Sequence, residues 1–497
     1  MRLTAFAALG LCAALAAAHP AASQARDTTS GPVLSLDEAL HLAVRNNPDY
    51  LQTVASRRTA SAQLRSARGA LLPSVNASFG TQYQRAGAQQ IQGANFNVAS
   101  DIYQSNYSVG VNYRLNAASF VNPRLQSANV AATEADIVGA LATLRSGVTQ
   151  QYLAVLKAQA QADLQDSLVL TNTTQLALAN AKLQVGSGTS LDVTRAQVDL
   201  GTQRVAALRA RNQIEVEKLR LFQRVGVQQP PNVQLTSNLT ITEPTFTLES
   251  LISDARRANP VLNAIRSREK VATLGVKSAR SDYLPSLFVS TGLGGYTYQL
   301  ADPEGQIKLA QLRAIQSQSS CFTTDSLRRG AGLPGIGSAC ASLPLFTDAD
   351  AAAFRNTNSQ FPFNFTKQPF AISAQVSIPV FNGFQRESNV QLAQAQHDDA
   401  IYAVRRGELA LTEGITEFYL QLRTAARTVA LQEQTVARAR EELRLAEERF
   451  RVGAGTSLDV TTARASFERA ETDRINAVYD FHSAFAALES AVGRPLR

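Results

Sequence analysis

The chain contains no tryptophan, a single methionine and three cysteines, and proline is missing from its two longest uninterrupted stretches, Pro123 to Pro230 and Pro379 to Pro495. A proline in a helix interior costs about 3 kcal/mol, so these two gaps are where long helices belong. After the N-terminal segment no apolar run approaches the roughly 20 residues that a spanning helix needs, which excludes transmembrane helices from the mature chain. The histidines His19, His41, His397 and His482 are scattered. They show neither metal-ligand spacing nor a nucleophile–base pairing, so the expectation is no enzyme, no metal and no cofactor. Net charge is +8, but arginines alternate with glutamates, as in Arg438-Ala-Arg440-Glu-Glu442. That pattern fits a solvated, salt-bridged helix face and gives no reason to expect a nucleic-acid partner. Gly186-Ser-Gly188 lacks the Lys-Ser/Thr of a phosphate loop and follows helix instead of strand, which sets nucleotide binding aside.

Residues 1–25 have the form of a cleaved secretory signal: Arg2 supplies the charge, Leu3 to Ala18 is apolar, and Ser23-Gln24-Ala25 offers small residues for cleavage. Cys12 follows Leu11, not the small residue that lipid attachment requires, and it leaves with the signal. Cys321 and Cys340 remain. An even pair in an exported chain points to one disulfide formed in an oxidising compartment.

What is present is a duplication. Val185-Gly-Ser-Gly-Thr-Ser-Leu-Asp192 recurs as Val452-Gly-Ala-Gly-Thr-Ser-Leu-Asp459. Pro48 and Pro260, in Arg-Asn-Asn-Pro and Arg-Ala-Asn-Pro, lie 212 residues apart, as do Pro73 and Pro285 in Leu-Pro-Ser. Tyr152 and Tyr419, like Gly186 and Gly453, lie 267 apart, so the second half carries 55 extra residues. The boundaries follow: a first repeat over 34–228, a linker over 229–247 and a second repeat over 248–497. In the second half Ile415, Leu422, Val429, Val436, Leu443 and Phe450 keep strict heptad spacing, and in the first half Val148, Val155, Ala162, Val169, Leu176 and Leu183 do so. Sustained heptads predict coiled-coil packing. A helix from Pro123 to Val185 would be roughly 90 Å long at about 1.5 Å per residue. Gly186 and Gly188, and Gly453 and Gly455, supply the conformation that ends such a rod. Thr189-Ser190-Leu191-Asp192 and Thr456-Ser457-Leu458-Asp459 look like capping boxes that open return helices, and Ser35-Leu-Asp-Glu38 opens the first mature helix.

Four alternating runs predict strands. Val75, Ala77, Phe79, Thr81 and Tyr83 share one face, as do Tyr107, Val109, Val111 and Tyr113; Leu287, Val289, Thr291 and Leu293; and Phe370, Ile372, Ala374, Val376 and Ile378. The opposite faces are mostly small and polar. Each run is close to the roughly 9–11 residues of a membrane strand. We expect an aromatic belt of Tyr83, Tyr107, Tyr113, Tyr296 and Tyr298 to fringe the apolar faces. The strands form two hairpins, over 74–115 and 286–378, the second with an inserted loop over 301–368. A half-buried soluble sheet shows the same alternation. In lipid, however, four strands cannot close and open edges are not tolerated. Two chains supply eight strands, enough only for a filled barrel, whereas three supply twelve and leave a passage.

Taken in order, the Asn-Pro pair, the Leu-Pro-Ser pair, Ile378-Pro-Val-Phe-Asn-Gly383 and the two Val-Gly-x-Gly-Thr-Ser-Leu-Asp-Val bends resemble the outer-membrane efflux family typified by TolC, over nearly the whole mature chain. The resemblance implies a mainly α chain with a β-barrel contribution. Long antiparallel coiled-coil helices and four membrane strands per chain would trimerise into a twelve-stranded barrel and a twelve-helix periplasmic tunnel. It implies passive export in a tripartite efflux or type I secretion system, with a periplasmic adaptor and an inner-membrane pump of the RND, ABC or similar kind. The mouth would comprise Val185, Gly186, Gly188, Thr189, Ser190, Leu191 and Asp192, with Val452, Gly453, Gly455, Thr456, Ser457, Leu458 and Asp459. Asp192 and Asp459 match acidic positions that narrow the entrance, and Gly455 stands where some relatives place a basic latch residue. The insertion reads as a loop expansion, or as a cover over the barrel mouth or a phage or ligand site, facing outside. A stand-alone diffusion porin and a soluble coiled-coil tether are the rival readings.

Overall fold

The computed structural model describes residues 32–91, 94–98, 100–236, 241 and 246–496. The expected signal over 1–25, with Cys12, lies outside them, as does part of the linker expected over 229–247.

Local chemistry sets the opening of the first repeat. After a short strand, β1 (Val33–Leu34), the Ser35 Oγ accepts the Glu38 N–H at 3.2 Å and starts α1 (Leu36–Asn46). Proline at the first position of α2 (Pro48–Gly69) costs no hydrogen bond there. There follow β2 (Ser74–Gln84), the tip strands β3 (Gly87–Ile91) and β4 (Ala94–Val98), and β5 (Ile102–Leu115). α3 (Ala117–Gln184) starts just before the first proline-free gap and carries Pro123 near its N-terminus, α4 (Ser190–Val225) lies wholly within the gap, and β6 (Gln234–Leu235) returns to pair with β1 in parallel. The second repeat runs α5 (Leu248–Ala258), α6 (Pro260–Ser281) and β7 (Ser286–Leu300), then α7 (Glu304–Gly330), α8 (Gly337–Ala341) and α9 (Asp348–Asn358). It closes with β8 (Thr366–Lys367), β9 (Ala371–Ser377), α10 (Gln385–Arg451) and α11 (Ser457–Val492). Among the described residues no helix is long and apolar enough to cross a membrane.

The chain divides into two compact units that cut across the repeats. One takes the chain up to Val54, Ile137–Val261 and Leu409 onward; the other takes Ala55–Asp136 and Leu262–Glu408. In the first unit the duplication is three-dimensional. Ala39, Ala43, Val148, Val155, Leu221 and Val225 form one core. Leu251, Ala255, Ile415, Leu422, Leu488 and Val492 occupy the corresponding places in a second. The Asn-Pro motif has the same task in each: Asn47 Nδ2 donates to the Arg224 carbonyl at 2.8 Å, and Asn259 Nδ2 to that of Ala491 at 2.7 Å. Each asparagine thus satisfies a carbonyl at the C-terminus of a long helix, where intrahelical partners run out. Gly226 and Gly493 end those helices at φ 84° and 81°. A Cβ at Gly226 would stand 2.5 Å from the Asn46 carbonyl oxygen, so the close approach also requires glycine.

The second-half heptad is buried along its whole length, Ile415 through Phe450. The first-half line departs from expectation. Val148, Val155 and Ala162 are buried, but Val169 and Leu176 are only half-buried and Leu183 is exposed. There Leu168, Asn172 and Ala179 turn inward instead. Asn172 and Ala179 hold the partner position of the same heptad, with Leu168 beside Val169, so the packing passes from one seam to the other.

In the second unit the long strands form one antiparallel sheet in the order β2-β5-β7-β9, with β8 beside the far end of β7. Among the described residues β2 and β9 have strand neighbours on one side only. Register places Val75, Val111, Thr291 and Ile372 in one row, and Ala77, Val109 and Leu293 in the next. This apolar face is open: Val75, Ile372 and Val376 are 65%, 65% and 63% exposed. On the other face hydroxyls pair across strands, Ser78 with Ser108 at 2.8 Å and Ser290 with Ser373 at 2.6 Å. Register corrects the expected aromatic belt. Tyr296 lies opposite Asn106 and Tyr298 opposite Gln104, so both belong to the polar face. Side chains alternate with a period of two, and these tyrosines share parity with Ser290, not with Leu293.

The segment expected as a loop over 301–368 is largely helical. α7 and α8 are joined by the Cys321–Cys340 disulfide, with Cα atoms 5.5 Å apart. Asp325 is buried between them, accepting the Ile336 N–H and pairing with Arg329 at 3.0 Å. Arg355 on α9 clamps Glu304 on α7 through two bonds of 2.7 and 2.9 Å.

Candidate functional site

The two duplicated bends lie in the same compact unit and have nearly the same build. α3 ends when Gly186 turns left-handed at φ 73°, which lets the Ser187 and Gly188 N–H groups both reach the Lys182 carbonyl at 3.0 Å. Gly453 does the same at φ 80°, and the Ala454 N–H reaches the Arg449 carbonyl at 2.9 Å. Gly188 and Gly455 serve a different need. A Cβ would stand 2.9 Å from the Lys182 Cβ at Gly188 and 3.1 Å from the Arg449 Cβ at Gly455, because the chain folds back tightly on the helix it has left. The bend at Gly455 is thus tight for any side chain.

Both return helices open with reciprocal capping boxes. The Asp192 N–H donates to Thr189 Oγ1 at 3.2 Å, while Thr189 N–H and Oγ1–H donate to Asp192 Oδ2 at 3.1 and 2.7 Å. The Asp459 N–H donates to Thr456 Oγ1 at 3.3 Å, and Thr456 returns two bonds of 2.9 Å. These bonds hold both carboxyls below the usual carboxylate range. For Asp192 the Thr189 hydroxyl contributes most and the Ser457 hydroxyl next; for Asp459 the Thr456 N–H leads. Both therefore carry negative charge at neutral pH. Around them Val185, Leu191, Val452 and Leu458 are exposed. Ser190 and Ser457 each begin a return helix.

The structure also ties the two bends together through Lys182, Arg195, Asp199 and Thr461, which the sequence reading did not single out. Lys182 Nζ sits 3.7 Å from the centre of the Phe450 ring and donates to the Phe450 carbonyl. Arg195 reaches Ser457 Oγ at 3.5 Å, and Thr461 reaches Asp199 at 3.4 Å. Deeper, the buried Arg464 donates to Asn172 Oδ1 at 2.6 Å and lies 3.5 Å from Glu447. Each contact joins one repeat to the other, or links the second hairpin's own arms. No periodicity within either repeat signals such a pairing. The two cysteines lie in the other unit, in the insertion, and form no part of these bends.

The arrangement holds two glycine bends side by side, with paired carboxylates and exposed apolar side chains at their tips. Among the described residues no group of three or more His, Cys, Asp or Glu side chains is placed to hold a metal ion.

The outer membrane efflux protein family model matches residues 39–227 and 343–494, and the chain belongs to that family. Outer membrane protein TolC of Vibrio cholerae serotype O1 is 23% identical over 464 residues, covering 92% of this chain and 90% of that protein. The toluene efflux pump outer membrane protein TtgF of Pseudomonas putida is 26% identical over 271 residues, 53% of this chain and 54% of its own length. Among solved structures, the outer membrane protein VceC of Vibrio cholerae matches with a TM-score of 0.68 at 16% identity, covering 93% of this chain and 97% of that one. CusC matches with a TM-score of 0.69 at 14% identity, covering 93% and 92%. The protein is an outer-membrane channel of a transport family whose members are not enzymes. The family match resumes at residue 343, so most of the helical insertion lies outside it.

Proposed function

We propose that three copies assemble into a passive exit duct, each contributing four strands to a twelve-stranded barrel and α3, α4, α10 and α11 to a twelve-helix periplasmic tunnel. The observation that carries this is the sheet β2-β5-β7-β9, amphipathic and open at both ends. In a bilayer the backbone groups on the free edges of β2 and β9 need partners that lipid does not supply. A second and third copy supply them and close the ring. Outer-membrane lipid meets the apolar face, and solutes pass along the polar one.

At the far end of the tunnel the paired bends, Val185 to Asp192 and Val452 to Asp459, form the mouth. Val185, Leu191, Val452 and Leu458 give a periplasmic adaptor apolar contacts there, and Asp192 and Asp459 form an acidic ring that favours cations. An inner-membrane transporter of the RND, ABC or similar kind supplies the energy, in drug-type efflux or in type I secretion. The close contacts of Lys182, Arg195 and Thr461 hold the two hairpins of one chain as a single tip, so opening moves such tips relative to those of neighbouring copies.

Mass measurement in mild detergent and in native membrane particles tests the assembly. A particle of three chains that conducts ions in a planar bilayer is expected. A monomer in both settings overturns the duct.

A further inference from the structure

The insertion returns to the sheet through Phe361-Pro362-Phe363-Asn364-Phe365, and this strap lies on the sheet's apolar face. Phe361 packs on Tyr103 with ring centres 5.5 Å apart, Phe365 on Tyr107 at 4.8 Å, and Phe363 on Phe79 at 6.2 Å. Tyr103, Tyr107 and Phe79 share that face with Val109 and Leu293, by register. Gly295 permits the approach: a Cβ there would stand 3.1 Å from the Phe365 Cβ and 2.6 Å from the Tyr107 ring.

Beneath the strap the apolar face is interrupted by two hydroxyls. Ser105 and Thr297 are register partners, 1% and 0% exposed, with their oxygens 2.6 Å apart. Ser105 Oγ also lies 2.5 Å from the Pro362 carbonyl oxygen, and the Phe361 N–H donates to Gln299 Oε1 at 3.0 Å. Hydroxyls left without partners against hydrocarbon are costly. The strap supplies the partners and covers the row with aromatic rings. Its outer surface is Phe363, 71% exposed, beside Phe79 at 55%. The exposed apolar surface therefore continues from Ile372 and Leu293 onto the insertion, on the face opposite Asn106, Ser108 and Asn112.

We propose that the strap Phe361–Phe365 is a lipid-facing collar on the outside of the barrel, with Phe363 seated where acyl chains meet headgroups. Aromatic side chains favour that boundary. Outer-leaflet lipid is the occupant because the strap prolongs the same apolar face that meets lipid lower down; the collar thus rests on the reading of the sheet as membrane barrel. It makes the base of the insertion a rim element and not a cover over the passage.

The chain has no tryptophan, so single substitutions give one emitter each. Phe363→Trp, Ile372→Trp and Tyr298→Trp, all at exposed sites, are reconstituted in phosphatidylcholine vesicles whose acyl chains are brominated either near the headgroup or deep. Aqueous iodide serves as a second quencher. F363W is expected to lose most emission to shallow bromines and I372W to deep ones. Y298W, at a similar height on the polar face, is expected to respond to iodide and not to bromolipid. If I372W is quenched by bromolipid and F363W responds only to iodide, the collar is wrong and the barrel stands. If neither I372W nor a second reporter, Leu293→Trp, is quenched at any depth, the barrel reading itself fails.

Discussion

In the helical unit Val148, Val155, Leu221 and Val225 of the first repeat face a core matched side chain for side chain by Ile415, Leu422, Leu488 and Val492 of the second. In the strand unit the two hairpins share antiparallel register, but their tips differ. Among the described residues the first tip carries β3 and β4, whereas the second carries three helices and a disulfide. Buried cores and tight bends restrain change in both copies at once, because a lost methylene or an added Cβ is felt immediately. A hairpin tip tolerates insertion because lengthening a loop adds closure entropy only slowly. The duplication therefore survives where packing or backbone geometry restrains the chain, and is lost at the hairpin tips.

The comparison can be broken most forcefully in the cores. Leu221→Ala and Leu488→Ala, both fully buried, are each expected to cost about 2–5 kcal/mol. Thermal unfolding in detergent should give similar losses, and a large inequality would show that one repeat dominates stability. Next comes the asymmetric tip. Removing the Cys321–Cys340 bridge as a double serine variant is expected to cost about 3 kcal/mol, confined to the insertion. Limited proteolysis should then cut α7 and α8 while the helical unit stays intact.

Smaller again are the bends. Gly186→Ala and Gly453→Ala place a side chain at positive φ, roughly 1–2 kcal/mol each, and the two melting shifts should match. Smallest are Asp192→Asn and Asp459→Asn. Both carboxyls are held below their ordinary pKa in the folded protein. Their stabilisation is thus complete above the ordinary carboxylate range and lost as pH falls through the depressed values. The asparagine variants should lose that stabilisation at neutral pH, flatten the acid arm of the stability–pH curve and converge with the parent protein in acid. Single-channel recordings on the same variants should show weaker cation preference; unchanged selectivity would reduce both residues to helix caps.

Features made of neighbouring residues were legible beforehand: the glycine bends, the capping threonines, the second-half heptad and the four strands. Tyr296 and Tyr298 do not join the aromatic belt because strand parity, displayed by the alternation Ser290, Gly292, Gly294, sets their face, and residue type does not. The insertion concealed its helices because its pattern is weakly amphipathic, although its alanines, leucines and glutamines are good helix formers. The first-half seam slipped near Leu168 because which of two seams is buried depends on the neighbouring helices.

By itself the sequence determined where the chain bends, caps and alternates, and that it is built twice, because these follow from φ, hydrogen bonding and periodicity within a few residues. Only the tertiary structure decided that Asn47 and Asn259 close the ends of distant helices, that Lys182 of one repeat grips Phe450 of the other, and that an aromatic strap lies on the apolar face of the sheet. Those contacts join residues tens to hundreds of positions apart. Their partners are selected by packing geometry, which no local pattern encodes.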